Sequence, residues 1–172
     1  MANVQLLLSV VVLTFVTIQI DSKSKCGYSW SKSFLRRHNQ YRSKHGVGKL
    51  TLDDNIGTFA QPYAEKLVKL GRLVHRNQKN YSENLFYMGG AKLLANMVVD
   101  SWYNEVKYYK SFNKEPRVMS SKWLHFTALI WKNTTRVGVG CARSGKKTYV
   151  VANYWPHGNI MRHFKDNVLP KK

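Results

Sequence analysis

The chain has 172 residues with 28 Lys+Arg against 9 Asp+Glu, a formal net charge of +19, and its length suits one domain or a domain with a tail. Hydrophobic residues make up 44% of it and aromatics 13%, enough for a packed core, which excludes wholesale disorder. Two cysteines, with no internal repeat and no low-complexity tract, exclude a disulfide scaffold and a solenoid.

Residues 1–22 differ from the rest. From Leu6 to Ile20 the chain is almost continuously apolar and carries no charge, and Asp21, Ser22 and Lys23 lead into a basic, aromatic body. The apolar run is short for a membrane span and Ser22 offers a small residue for cleavage, so residues 1–22 read as a signal peptide. The basic start of such peptides is missing, and an uncleaved N-terminal anchor is the alternative. Cleavage removes no Lys or Arg and one acid, Asp21, leaving 28 minus 8, or +20, on residues 23–172.

That reading makes the protein secreted and extracellular, where a cation of this size meets anionic membranes and glycans; nucleic acid is not an expected partner. Lys and Arg are spread along the whole chain, which a generally solvated basic surface also explains. Export permits glycosylation at Asn80 (Asn80-Tyr81-Ser82) and Asn133 (Asn133-Thr134-Thr135). It also lets Cys26 and Cys141 pair; otherwise Cys141, in an apolar run, is simply a small buried residue.

Ser31 or Ser33 can cap a first helix running to about Lys44, with Leu35, His38, Asn39 and Arg42 on one face and Gly46 and Gly48 beyond its end. A second helix is expected from about Asp53 to Leu70. Ile56, Phe59, Ala60, Tyr63, Ala64, Leu67 and Leu70 form its buried stripe, Gly71 stops it, and Pro62 invites a kink. A third helix, from about Ala91 to Tyr109, buries Leu94, Val98, Trp102 and Glu105. Beyond Pro116 the period changes, and Phe126–Trp131, Arg136–Arg143 and Lys147–Trp155 read as strands with Gly145 in a turn. Helices followed by strands give an α+β fold, a three-layer α-β-α sandwich with a small antiparallel sheet between helices.

The segment from His125 to Thr134 (HFTALIWKNT) with Val137-Gly138-Val139-Gly140, and the segment from Val150 to Asn159 (VVANYWPHGN), resemble the two signatures of the CAP superfamily. Its members are the cysteine-rich secretory proteins, insect venom antigens and plant pathogenesis-related proteins. His38-Asn39, Glu83-Asn84-Leu85 and the run from Trp102 to Tyr109 match as well, in family order from about Ser33 to Pro170. The short, cysteine-poor body is most similar to the Golgi-associated plant pathogenesis-related subgroup, and residues 23–172 are identified as the CAP (SCP) domain.

The resemblance implies a cleft lined by His75, Glu83, Glu105 and His125. Two imidazoles and two carboxylates can hold a divalent cation, zinc being the best match, with His75 and His125 as ligands and Glu83 and Glu105 either binding directly or orienting the rings. The same four residues could instead form a structural hydrogen-bonded network. No catalytic residue is assigned: a hydrolase needs a nucleophile beside a base, and neither Ser82 nor Thr127 has a visible partner. Leu124 before His125, and Ser82 before Glu83, stand where the family commonly has glycine and can reshape the mouth of the cleft.

The resemblance, together with the charge and the composition of one loop, implies non-enzymatic binding of lipid or sterol, or of an anionic surface. The basic loop from Lys114 to Leu124, with Met119, Trp123 and Leu124, either touches lipid or folds back on the core. The alternatives are a metal-dependent hydrolase and a receptor-directed protein ligand; oligomeric state is left open.

Overall fold

The computed structural model describes residues 26–90 and 92–172, so the expected signal peptide, residues 1–22, lies outside the described residues. Helix α1 spans Tyr28–Lys44 and starts ahead of both expected serine caps: the Ser31 N–H already bonds the Gly27 carbonyl at 3.1 Å. Cys26, just before it, is joined by a disulfide to Cys141, 115 positions away, with the Cα atoms 5.1 Å apart. α1 buries Phe34, His38, Tyr41 and Arg42. Among the described residues Arg42 pairs with no carboxylate; its guanidinium instead donates to the carbonyls of Gly48, Leu129, Trp131 and Thr134 at 2.6 to 3.1 Å. Four of its five N–H donors are thus occupied and each of its three nitrogens has a partner, which is what keeps a fully buried cation tolerable.

Helix α2, Asp54–Leu70, forms where the stripe predicts it. The Asp53 carboxylate accepts from the Ile56 N–H at 3.0 Å as its cap, and Gly71 ends it in the left-handed conformation (φ 66°). Ile56, Ala60, Tyr63, Ala64 and Leu67 are buried, whereas Leu70 at the last turn is exposed. The helix runs through Pro62 unbroken, and nearby the Phe59 carbonyl accepts from Arg76 Nη2 at 2.9 Å.

Helix α3 is shorter than the sequence suggests, Ala95–Tyr103, and continues as a 3₁₀ turn over Asn104–Tyr108. Val98 and Trp102 are buried, but Leu94 precedes the first turn and is exposed.

The expected strand at Phe126–Trp131 is instead helix α4, Leu124–Ile130. Phe126 through Ile130 are all buried and all but Thr127 are apolar, so the run carries no period by which a helix and a strand could be distinguished. A short helix α5, Phe164–Asn167, closes the chain's last turn of structure.

The sheet has four strands in the order β1-β3-β4-β2. β3 (Arg136–Ser144) and β4 (Lys147–Trp155) form the expected hairpin, with Gly145 at positive φ in its two-residue turn. β2, Ser82–Gly89, pairs antiparallel with β4 and was not anticipated as a strand. β1, Thr51–Leu52, is parallel to β3, so the sheet is mixed and not wholly antiparallel.

Helix α2 covers one face of this sheet, packing Ala60, Tyr63, Ala64 and Leu67 with Leu85, Ala142, Tyr149 and Val151. α1, α3 and α4 cover the other, around Phe34, Trp102, Phe126 and Tyr154, which makes the three-layer α-β-α sandwich. Gly138 and Gly140 let α2 lie directly on β3: a Cβ at either would run into helix backbone at Ile56–Gly57 or Ala60–Gln61.

Candidate functional site: two histidine–glutamate pairs

Each imidazole of the expected tetrad meets one carboxylate. His75 follows the stop of α2, and its Nδ1 lies 3.0 Å from Glu83 Oε1 at the start of β2. Glu83 is the buried partner, its side chain 4% exposed against 61% for His75. The Glu83 carboxylate also accepts from the Arg76 backbone N–H at 3.1 Å and from Asn153 Nδ2 at 3.4 Å. Arg76 keeps this loop on α2, its guanidinium carbon 3.9 Å from the Phe59 ring centre and 4.5 Å from that of Tyr63.

The second pair sits at the start of α4. His125 Nδ1 lies 2.6 Å from Glu105 Oε1, while Glu105 Oε2 accepts the backbone N–H groups of His125 and Phe126 at 3.0 and 3.2 Å. One carboxylate in the 3₁₀ turn after α3 therefore caps α4 and fixes its first imidazole ring, against which Trp102 stacks at 6.1 Å.

Strand β2 links the two pairs. Successive side chains of a strand point to opposite faces. Glu83 shares the parity of Leu85, which packs under α2; Asn84 shares that of Phe86, which packs against the other core. Asn84 Nδ2 donates to the His125 carbonyl at 3.0 Å and to the Tyr154 hydroxyl at 3.3 Å. Tyr154 in turn contacts His38 Nε2 at 2.9 Å, and His38 Nδ1 donates to the Phe34 carbonyl at 3.0 Å. This buried run of bonds connects α1, β4, β2 and the base of the second pair. Asn84, Asn153 and Tyr154 are thus parts of the site that were read only as family matches; no chemical pattern in the sequence singles them out.

In both pairs the carboxylate engages Nδ1, and neither Nε2 is hydrogen-bonded among the described residues. The donor set leaves those two Nε2 atoms open, with the glutamates holding the rings in position. It does not fit a centre with three protein ligands: among the described residues no three His, Cys, Asp or Glu side chains form a group able to hold a metal ion.

Of the two departures from the family pattern, Ser82 alone hydrogen-bonds through its side chain, while Leu124 bonds through a backbone carbonyl that glycine would also offer. Ser82 Oγ accepts from the Gly158 N–H at 3.0 Å, and the Leu124 carbonyl accepts from Asn159 Nδ2 at 2.9 Å, so both tie the segment after β4 to the site. Thr127 Oγ1 donates to Asn159 Oδ1 at 2.6 Å. Both hydroxyls are held by this loop and not by an imidazole.

The loop before α4 divides its side chains. Trp123 folds back, buried edge-on to Tyr109 at 5.2 Å and Phe164 at 5.5 Å, while Val118 and Met119 are 73% and 42% exposed. Glu115 accepts from the backbone N–H groups of Phe164 and Lys165, and Asn159 bonds Leu124. Residues 115–124 are therefore pinned at both ends to residues 159–165, whose Ile160 and Met161 are also exposed. Asn80 and Asn133 of the two sequons are exposed as well.

The sequence profile of the cysteine-rich secretory protein family (CAP) matches residues 35–154, which include all four residues of the two pairs. The chain belongs to the CAP family. Human Golgi-associated plant pathogenesis-related protein 1 is 40% identical over 156 residues, 85% of this chain and 99% of that protein. Pathogenesis-related protein 1C of Nicotiana tabacum is 33% identical over 151 residues, 87% of this chain and 89% of that one. Among solved structures, NaASP2 with Zn2+ superposes with a TM-score of 0.68 at 19% identity, covering 88% of this chain and 90% of its own, which shows the shared CAP fold. Within this CAP domain the glycines of the first signature are the contact surface for α2, and His125 at its start is the residue that Glu105 holds.

Proposed function

We propose that the chain is a secreted, non-enzymatic CAP protein that binds lipid or sterol at an anionic membrane surface. The observation that carries this reading is the paired-loop face: Val118, Met119, Ile160 and Met161 are exposed side by side in sequence with the exposed cations Lys114, Arg117, Lys122, Arg162 and Lys165. Apolar tips insert between headgroups while cations meet anionic lipid, and each supplies what the other lacks for stable attachment. The non-enzymatic part is supported by the bonding of Ser82 and Thr127, neither of which touches a general base.

Flotation with phosphatidylcholine vesicles containing phosphatidylserine, with and without cholesterol, tests the reading. Binding at low salt is expected, with a clear loss for Val118→Ser/Met119→Ser; no uptake at low salt removes it.

A second reading is favoured by the Nδ1 bonds of both histidines: His75 and His125 hold a divalent cation, zinc in first place, through Nε2, with Glu83 and Glu105 orienting the rings. Such an ion would supply a fixed positive charge at the base of α4. Zinc titration by calorimetry should give one ion per chain, lost in His75→Ala and in His125→Ala; binding that survives both variants counts against it.

A further inference from the structure

Phe34, His38, Tyr41 and Arg42 of α1 are turned into the core, with Trp30 and Leu35 packed against it, while Arg36, Gln40, Ser43 and Lys44 are exposed. Between that face and the loop after the helix lies an open groove of about 650 Å³. Its lining is Arg36, Arg37, Lys44 and Lys49 together with three neutral polar side chains, Asn39, Gln40 and Ser43, and includes no carboxylate and no large apolar group.

The groove is held in shape by its own bonds. Asn39 exchanges hydrogen bonds with the backbone of Leu50, accepting from its N–H at 2.8 Å and donating to its carbonyl at 3.0 Å, which fixes Lys49 beside the helix. Arg37 donates to Gln40 Oε1 at 3.0 Å and forms a two-point pair with Asp100 of α3, at 2.5 and 3.1 Å. Asp100, the acid bordering the groove, is thereby engaged, and it accepts from the Tyr41 hydroxyl as well. Lys44 lies over the Tyr41 ring at 5.2 Å. Arg36, Lys44 and Lys49 have no ion-pair partner among the described residues.

The ligand class follows from spacing and lining. Arg36 and Lys44 are eight residues apart, about 12 Å along the helix axis, too far for one phosphate or sulfate to bridge but suited to several anionic groups on one polymer. The lining has no apolar side chain to enter a bilayer and no aromatic ring on which a base could stack. Amide and hydroxyl groups between the cations can instead bond sugar hydroxyls, and arginine suits the planar, two-point recognition of sulfate oxygens.

We propose that the α1 groove binds a sulfated glycan. The proposal rests on the reading of the chain as a cationic protein working at anionic surfaces, and adds a site separate from the Val118 and Ile160 face.

Calorimetric titration of the whole protein with a heparin oligosaccharide, and with its desulfated form, provides the test. Arg36→Glu/Lys49→Glu should weaken heparin binding by about tenfold or more and lower the slope of log Kd against log salt by about two. Lys146→Glu/Lys147→Glu, the same charge change placed in the β3–β4 turn, should weaken it much less. Arg36→Gln/Lys49→Gln should also lose affinity while keeping the circular dichroism and melting temperature of the parent. Equal losses in both Glu variants, or equal binding of desulfated heparin, overturn the site in favour of bulk charge. Loss of phosphatidylserine vesicle binding in the groove variant, with heparin binding intact, overturns it in favour of a headgroup site. If heparin fails to bind while vesicles bind, the groove proposal falls and the lipid reading stands; the reverse pattern removes the lipid reading alone.

Discussion

His38 Nε2 and the Tyr154 hydroxyl lie 2.9 Å apart in the core, 116 positions apart along the chain. The Phe34 carbonyl opposite Nδ1 can only accept, so Nδ1 carries the ring proton and Nε2 must accept from Tyr154. The Tyr154 oxygen is then free to accept from Asn84, and the direction of each bond is set by the one before it. Tyr154→Phe leaves His38 Nε2 buried without a donor and should cost about 1 to 3 kcal/mol in urea unfolding. A loss below a few tenths would mean that the relay holds nothing together.

The same arrangement needs a neutral ring. Burial lowers the His38 pKa from 6.5 to about 3, with the neighbouring Arg42 guanidinium adding to the effect and the Phe34 bond opposing it; burial lowers His45 as well. The unfolded chain takes up a proton near pH 6.5 that the folded chain refuses. Stability is therefore complete above about pH 6.5 and falls as pH drops from there toward about 3, by at most about 1.4 kcal/mol per pH unit for each such histidine. Urea midpoints between pH 7.5 and pH 5 should show a shallower decline in His38→Gln than in the parent. Identical pH slopes would remove His38 as the source.

Helix-to-sheet contact at Gly138 gives a third prediction. Gly138→Ala places a methyl group against the backbone of Ile56 and Gly57 and should destabilise by about 1 to 3 kcal/mol or more. Gly48→Ala, where nothing lies within 4 Å, is the control and should stay close to the parent. Comparable losses at both positions would argue that glycine flexibility, not close approach, is what matters.

The Cys26–Cys141 bridge closes most of the chain into one loop, a separation of 115 residues. Restricting the unfolded chain in this way stabilises by about 4 to 5 kcal/mol on entropic grounds. Cys26→Ser and reductant should lower the melting temperature to the same extent, and reductant should have no effect on the variant. A reductant effect that persists in Cys26→Ser would point to another cause.

Glu105 separates a structural from a ligand-binding role for the second pair. Glu105→Ala removes the acceptor of two N–H groups at the start of α4 and should cost about 1 to 2 kcal/mol. Glu105→Gln retains one acceptor oxygen and should recover part of that. If both variants bind vesicles as the parent does once folded, the pair serves the fold; loss of vesicle binding in fully folded Glu105→Gln would make it part of the binding site.

Elements whose signal is local were legible from the residues alone. Asp53, the stripe from Ile56 to Leu67 and Gly71 specify α2 at its start, its face and its end, and the short apolar runs on either side of Gly145 specify the β3–β4 hairpin, because caps, periodicity and turns act within a few residues. Family membership, too, could be read from the two signature segments. What the tertiary structure decided depends on partners far along the chain. The run from Leu124 to Ile130 is helical because Glu105 takes its first N–H groups and Phe126 to Ile130 pack into the core; β2 is a strand because β4 offers it an edge; and Trp123 turns inward because Tyr109 and Phe164 form a slot for it. The sequence could name His75, Glu83, Glu105 and His125, but only the folded chain divides them into two pairs, since the loop after α2 lies against the start of β2 and the 3₁₀ turn after α3 lies against the start of α4.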